Sequence, residues 1–322
     1  MKRKIIIFFI TISFALASWK LINPTFDNSN KDKLLIEIIK YVLEKYHYNS
    51  IEINDEFSEK MFDAYIELLD SQKKYFLSSD IREFKKYKLK LDNQLIDYDL
   101  SFFNLSYDRL MQRISEVEEF YPTLLDIPFD FSKKEAINLD FENISFPKNN
   151  IERKDRWRKQ FKYTALDIYD LKISDQKSNL KKNNDFESKT DEKIIQESIE
   201  LVEKNIINLF DLMGDLQRKD WFSTYLNSFV IQLDPHTYYF KPEDKERFDM
   251  TISGKFNGIG ARLSKEEGGI KIVDIILGGP LWRDKKIEIG DEIIKVGEKN
   301  NKPVDVIGMR LEDAIKLIKG PK

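Results

Sequence analysis

The spacing of apolar residues changes once along this chain, and that change divides what the two parts can fold into. As far as Leu233 apolar side chains recur every three or four residues. From Phe256 onward they sit in short runs separated by glycine. The first spacing gives a helix one apolar face, whereas short apolar runs bounded by glycine and proline read as strands. The expected fold class is α+β multidomain, a mostly α-helical N-terminal domain followed by a small domain of strands and helices.

In the helical part Leu35, Ile38, Ile39, Val42, Leu43 and Tyr46 mark a first apolar face. Met61, Tyr65, Leu68 and Leu69 mark a second. Ile81, Phe84, Tyr87, Leu91 and Leu95 mark a third, with Asp80 and Glu83 spaced as a capping box. Leu110, Ile114, Val117 and Phe120 form a fourth, expected to end near Pro122. The stretch to Pro147 is irregular, and Trp157, Phe161, Ala165, Leu166 and Tyr169 restart a helix. Residues 175–192 are polar without a periodic face and read as a mobile surface loop. Helices follow from Ile194 through Met213 and from Trp221 to Ile231.

One pattern occurs twice in this part. Leu69-Asp70, Tyr75-Phe76, Asp80 and Phe84 match Leu233-Asp234, Tyr239-Phe240, Asp244 and Phe248 at a constant offset. Each copy follows one apolar helix and precedes another, so both read as corners in which the aspartate accepts backbone amides and the Tyr-Phe pair wedges the turn. Pro242, with Glu243 and Asp244 behind it, suits the first turn of the next helix. His236 stands between Asp234 and Thr237, and Asp-Pro-His-Thr is ordinary turn chemistry. A hinge or corner role is expected for it rather than catalysis.

Composition removes several functions. Charged residues make up 34% of the 322, but the net charge is −3, without the basic excess that phosphate backbones require. No nucleic-acid partner is expected. Cysteine is absent and only His47 and His236 supply imidazole, so no metal site and no cofactor are expected. At the N-terminus Lys2-Arg3-Lys4 precedes an apolar run from Ile5 to Leu16, and Ala15-Leu16-Ala17 places small residues for cleavage after Ala17. Residues 1–17 read as a cleaved signal peptide, with an uncleaved membrane anchor as the alternative. The expected location is exported and periplasmic.

In the C-terminal part Lys271 to Ile276 and Glu292 to Val296 read as strands, the latter entered by Gly290-Asp291. Leu311, Ala314, Ile315 and Ile318 lie on one face of a short helix stopped by Gly320-Pro321. Ahead of them Gly258-Ile259-Gly260-Ala261 leads into a strand at Arg262-Leu263. A glycine turn of this kind lets several backbone N–H groups face one concavity and hold a carboxylate. An edge strand beside it pairs with an extended peptide, and the helix from Leu311 forms the facing wall.

At these residues the chain resembles the carboxy-terminal processing proteases of peptidase class S41, within them the tail-specific protease group. The resemblance rests on Leu233-Asp234-Pro235-His236-Thr237, Gly258 to Ala261, Gly278-Gly279-Pro280, Ile289-Gly290-Asp291, Val304 to Asp313 and Ile318 to Lys322. Leu69-Asp70 with Tyr75-Phe76, and Trp157 with Lys162, Ala165 and Leu166, extend it into the helical part. It implies a helical domain over residues 18–248 and a PDZ domain, a small β-sandwich with helices, over 249–322. It also implies a peptide carboxylate held by Gly258, Ile259, Gly260 and Ala261. Leu263, Leu311, Ala314, Ile315 and Ile318 would then line the peptide groove, and part of that helix face would serve the domain's own core. Protein substrates with apolar C-termini, a lipoprotein adaptor and a separate polypeptide carrying the protease domain are the partners it suggests. The group cuts with a Ser/Lys pair in a following domain. No serine and lysine here occupy that context, so no catalytic residue is assigned. The expectation is a truncated or split gene product whose PDZ domain lacks its last strand. The alternative is a non-catalytic exported peptide-binding adaptor.

Overall fold

The structure, a computed structural model, describes residues 28–48, 52–126, 129–182, 186–254, 258–266, 268–297 and 302–320. The expected leader at 1–17 lies outside them. The chain divides into two compact units, Met1–Tyr239 and Phe240–Lys322.

The first unit is helical: α1 (Asn28–Tyr46), α2 (Asp55–Asp70), α3 (Ser78–Phe84), α4 (Leu91–Asp97), α5 (Ser101–Leu125), α6 (Asn150–Lys182), α7 (Asp191–Asp215) and α8 (Arg218–Val230). Its core is aromatic. Tyr65, Phe102, Phe103 and Tyr225 have no exposed surface, and Tyr65 meets Tyr225 edge-on at 5.1 Å. Each such side chain contributes about 1.5–3 kcal/mol by leaving water. Among the described residues no helix is long and apolar enough to cross a membrane.

Several boundaries differ from expectation for identifiable reasons. The third apolar face is broken into α3, a 3₁₀ turn at Lys85–Tyr87 and α4. At the break the Ser58 hydroxyl of α2 donates to Lys88 O (2.8 Å) and accepts from Leu91 N (2.7 Å), replacing the helix's own partners. Asp80 is not an N-cap with Glu83 as its partner. It sits inside the first turn of α3 and accepts Leu77 N at 2.8 Å, while Glu83 pairs with Arg109. Helix α5 continues past Pro122 to Leu125. One N–H is lost there, but Tyr121 stacks on Phe210 and Leu124 and Leu125 pack on the core, which holds the last turn in place.

The polar stretch 175–192 is helical at both ends, because α6 runs to Lys182 and α7 begins at Asp191; residues 186–190 are irregular, and 183–185 lie outside the described residues. Its helical form is supported by α7 alongside it. Lys172 pairs with Glu197 at 3.0 Å, and the Gln176 amide exchanges two hydrogen bonds with the Lys189 backbone. A solvated helix tied to a neighbour needs little apolar content of its own.

The Asp70 corner is built as the sequence suggests. Asp70 accepts Lys74 N (2.8 Å), Tyr75 N (2.9 Å) and Phe76 N (2.9 Å). From α6, Arg156 donates to Lys73 O, Trp157 to Lys74 O (2.9 Å) and Arg153 to Tyr75 O (3.0 Å). Tyr75 and Phe76 are buried, and Phe76 meets Phe84 at 5.2 Å. In the second copy Asp234 accepts His236 N at 2.7 Å and the Tyr48 hydroxyl, and it touches the His236 ring. The His236 side chain is 92% exposed. Phe240 meets Phe248 at 5.1 Å, but Phe240 is exposed and Tyr239 half-buried, so the pair does not wedge this turn as Tyr75 and Phe76 do.

The two aspartates therefore differ in consequence. Burial pushes the Asp70 carboxyl upward against its three amide donors, yet the buried Tyr75 and Phe76 amides have no water to turn to. Asp70→Ala is expected to cost about 3 kcal/mol in urea unfolding, since each orphaned buried donor costs about 1–3 kcal/mol. Asp234→Ala should cost clearly less, because its surroundings are open. Equal losses would rule out this account of the corners.

The second unit contains α9 (Pro242–Ser253), β1 (Ala261–Glu266), β2 (Gly269–Ile275), α10 (Pro280–Asp284), β3 (Glu292–Ile293), β4 (Lys295–Val296), β5 (Val304–Asp305) and α11 (Leu311–Lys319). By packing it starts at Phe240, earlier than the expected boundary after residue 248. β1, β2 and β3 form an antiparallel sheet in that order, with a bulge at Arg262/Leu263. The strand expected over 292–296 is divided at Ile294, because β3 pairs with β2 whereas β4 pairs with β5. Ile270, Val306 and Ala314 form a small buried core on which Leu263, Ile293 and Leu311 pack.

Candidate functional site

The site is made by one strand edge, one turn and one helix of the second unit. Among the described residues β1 pairs only with β2, so its other edge is open. Ahead of it the turn at 258–260 is anchored through its carbonyls. Leu281 N donates to Ile259 O (3.0 Å) and Ile276 N to Gly260 O (2.9 Å). Within the described backbone the N–H groups of Ile259 and Gly260 donate to no carbonyl.

Gly260 has φ +80°, and a Cβ there would lie 2.9 Å from Pro280 Cδ and 3.0 Å from Gly279 Cα. Both the left-handed backbone and the close approach require glycine. The Gly278-Gly279-Pro280 motif thus acts as the support on which the turn rests.

Between β1 and α11 lies a groove of about 290 Å³. Of the expected residues, Gly258, Ile259, Ala261, Leu263, Ile315 and Ile318 line it. Gly260 shapes the turn without lining the groove. Ala314 is fully buried in the core of the unit, and Leu311 packs against that core. The helix face thus divides between groove and core.

Sequence reasoning missed one wall. Glu243, Glu246, Arg247 and Met250 of α9 also line the groove, opposite Glu312, Lys316 and Lys319 of α11. Their spacing places them on one helix face, but a charged face reads as solvated in sequence. Lys316 bonds Glu243 at 2.6 Å, Lys319 bonds Glu246 at 3.2 Å and Arg247 meets Glu312 at 3.3 Å. The Glu243 carboxylate holds the Lys316 ammonium above its ordinary pKa. Asp244, and then Glu312, do the same for Arg247.

The arrangement offers an open strand edge, turn amides that donate to no carbonyl within the described backbone and an apolar trough, which is recognition chemistry. Among the described residues no group of three or more His, Cys, Asp or Glu could hold a metal ion.

An open strand edge, a glycine turn and a facing helix make the second unit a domain of the PDZ class, and residues 249–322 match the pattern described as PDZ domain. Residues 39–243 match the Tail specific protease N-terminal domain, and the chain belongs to the tail-specific protease family. It is 35% identical over 277 residues to the Tail-specific protease of Haemophilus influenzae, across 86% of this chain and 37% of that protein. It is 40% identical over 89 residues to the Carboxy-terminal processing protease CtpA of Bacillus subtilis, across 28% of this chain and 18% of that protein. The chain thus spans well under half the length of these relatives.

Proposed function

We propose that this chain captures the free C-terminal ends of polypeptides and serves as the substrate-recognising part of a tail-specific protease. The observation that carries the reading is the groove itself. Its trough is apolar, and among the described residues β1 leaves an edge for an added strand and the turn at its end has amides that donate to no carbonyl. A tail enters as an extra strand along Ala261–Glu266, its carboxylate meets the turn at Gly258 and Ile259, which line the groove, and its last side chains lie on Leu263, Ile315 and Ile318. Apolar tails are favoured because the trough is lined by aliphatic side chains. We ascribe recognition, not bond cleavage, to the two units. The export reading rests on the leader pattern at residues 1–17, and it places the substrates in the periplasm.

Fluorescence anisotropy with two peptides tests the reading. A labelled peptide ending in three apolar residues with a free carboxylate should bind the full chain. Its amidated twin should bind at least tenfold more weakly, since a hydrogen bond to a charged group contributes about 1.5–3 kcal/mol. Equal binding would overturn carboxylate capture.

A further inference from the structure

Helix α9 is an unusual neighbour for an apolar trough. None of its residues is buried, and two of its large apolar side chains, Phe248 and Ile252, are 48% and 73% exposed. Of the four α9 residues that line the groove, only Met250 is apolar. Apolar burial therefore does not hold this helix where it is. Among the described residues its ties to α11 include the ion pairs Glu243–Lys316, Glu246–Lys319 and Arg247–Glu312, all with solvent access.

The helix is also equipped to keep its form without the groove. Pro242 stands at its first position with Glu243 and Asp244 in the first turn. Lys245–Asp249 and Arg247–Asp244 bridge successive turns, and Gly254 closes the end at φ +63°. It can part from α11 as a unit by breaking exposed ion pairs, which are individually weak.

We propose that α9 is an ionic strap across the tail groove, an internal competitor that an incoming tail must displace. This rests on the tail-capture reading above and deepens it. A strand added to β1 needs the trough between Leu263 and Ile315, and Glu246 and Met250 border the same space. Glu243 and Glu246 occupy the two lysines of α11 that face the groove. A tail with acidic side chains upstream of its apolar end can take over Lys316 and Lys319 as the strap leaves. The favoured substrate class is then an apolar C-terminus preceded by acidic residues.

The test uses the full chain and a peptide with a free apolar C-terminus and no charged side chains. Glu243→Gln with Glu246→Gln should tighten binding about fivefold, the amount expected for removing two exposed ion pairs. Raising salt should tighten wild-type binding and leave the double variant nearly unchanged. Exchanging the charges on both helices (E243K, E246K, K316E and K319E together) should restore wild-type affinity within about twofold. Unchanged or weaker binding by the double variant overturns the strap and makes α9 a wall that helps hold the tail. If no variant binds any tail, the capture reading fails. The strap is then judged by amide hydrogen exchange over 242–253, which must quicken in the double variant and overturns the proposal if it does not.

Discussion

Asp80→Ala is expected to destabilise the helical unit by about 3 kcal/mol at neutral pH, and to do so less at pH 3. Asp80 has no exposed surface. Its carboxylate accepts Arg113 Nε and Arg113 Nη2 at 2.8 Å each, Leu77 N at 2.8 Å, and Arg109. Removing it leaves two guanidinium groups short of a partner and one buried amide unpaired. Breaking one side of a buried ion pair costs about 3–5 kcal/mol. The lower end applies here, because the Arg109 side chain is 23% exposed and Glu83 and Glu116 remain to hold the arginines.

The pH dependence follows from the direction of the Asp80 shift. Burial opposes its ionisation, but the Arg113 bonds, with Leu77 N and Arg109 behind them, overcome this and hold the carboxyl below its usual value. A group whose folded pKa is depressed contributes stability that is present above its unfolded value of about 3.9 and is lost as pH falls toward the folded value. Wild type should therefore lose the Asp80 contribution below about pH 4, and the gap between wild type and variant should narrow there. Urea unfolding followed by far-ultraviolet circular dichroism at pH 7 and pH 3 measures both. A penalty under about 1 kcal/mol, or one that is the same at both pH values, would contradict this account.

The features legible in the sequence were those that a local pattern carries. Ile315 and Ile318 were placed on one helix face by their spacing, which could not separate them from the core residues Leu311 and Ala314 on that face; the glycines marked the turn, and the resemblance supplied the groove roles of Ile259, Ala261 and Leu263. The Asp70 corner was accessible because its partners lie within six residues of it. The clamp on that corner was not, since Arg153, Arg156 and Trp157 come from a helix more than seventy residues onward. The polar end of α6 was lost because a helix tied to its neighbour by polar side chains shows no apolar period. The α9 wall was hidden for the same reason. Glu243, Glu246 and Arg247 acquire meaning only once α11 supplies Lys316, Lys319 and Glu312, and no spacing within α9 announces that.

Gly260→Val is expected to abolish tail binding, by at least about fiftyfold, while leaving the helical unit intact. Two effects act at this position. A β-branched residue at φ +80° carries strain of roughly 1–3 kcal/mol, and its Cβ would sit 2.9–3.0 Å from Pro280 Cδ and Gly279 Cα. The second effect decides the outcome, because backbone at Gly279 cannot swing aside as a flexible side chain does. The turn must open instead, breaking the anchors at Ile259 O and Gly260 O that aim the neighbouring amides. Two charge-assisted bonds to a carboxylate are lost with it, at about 1.5–3 kcal/mol each. Gly308→Val separates strain from displacement. Gly308 has φ +71°, but a Cβ there meets nothing within 4 Å, so that variant should suffer strain alone and keep most of its tail affinity. Anisotropy with the free-carboxylate peptide reads binding, and amide hydrogen exchange reads each unit separately. If G260V holds the tail within about threefold of wild type, the turn is not the carboxylate site. If both variants lose binding alike, strain anywhere in the small unit is enough, and the packing of Gly260 on Gly279 and Pro280 has no special role in recognition.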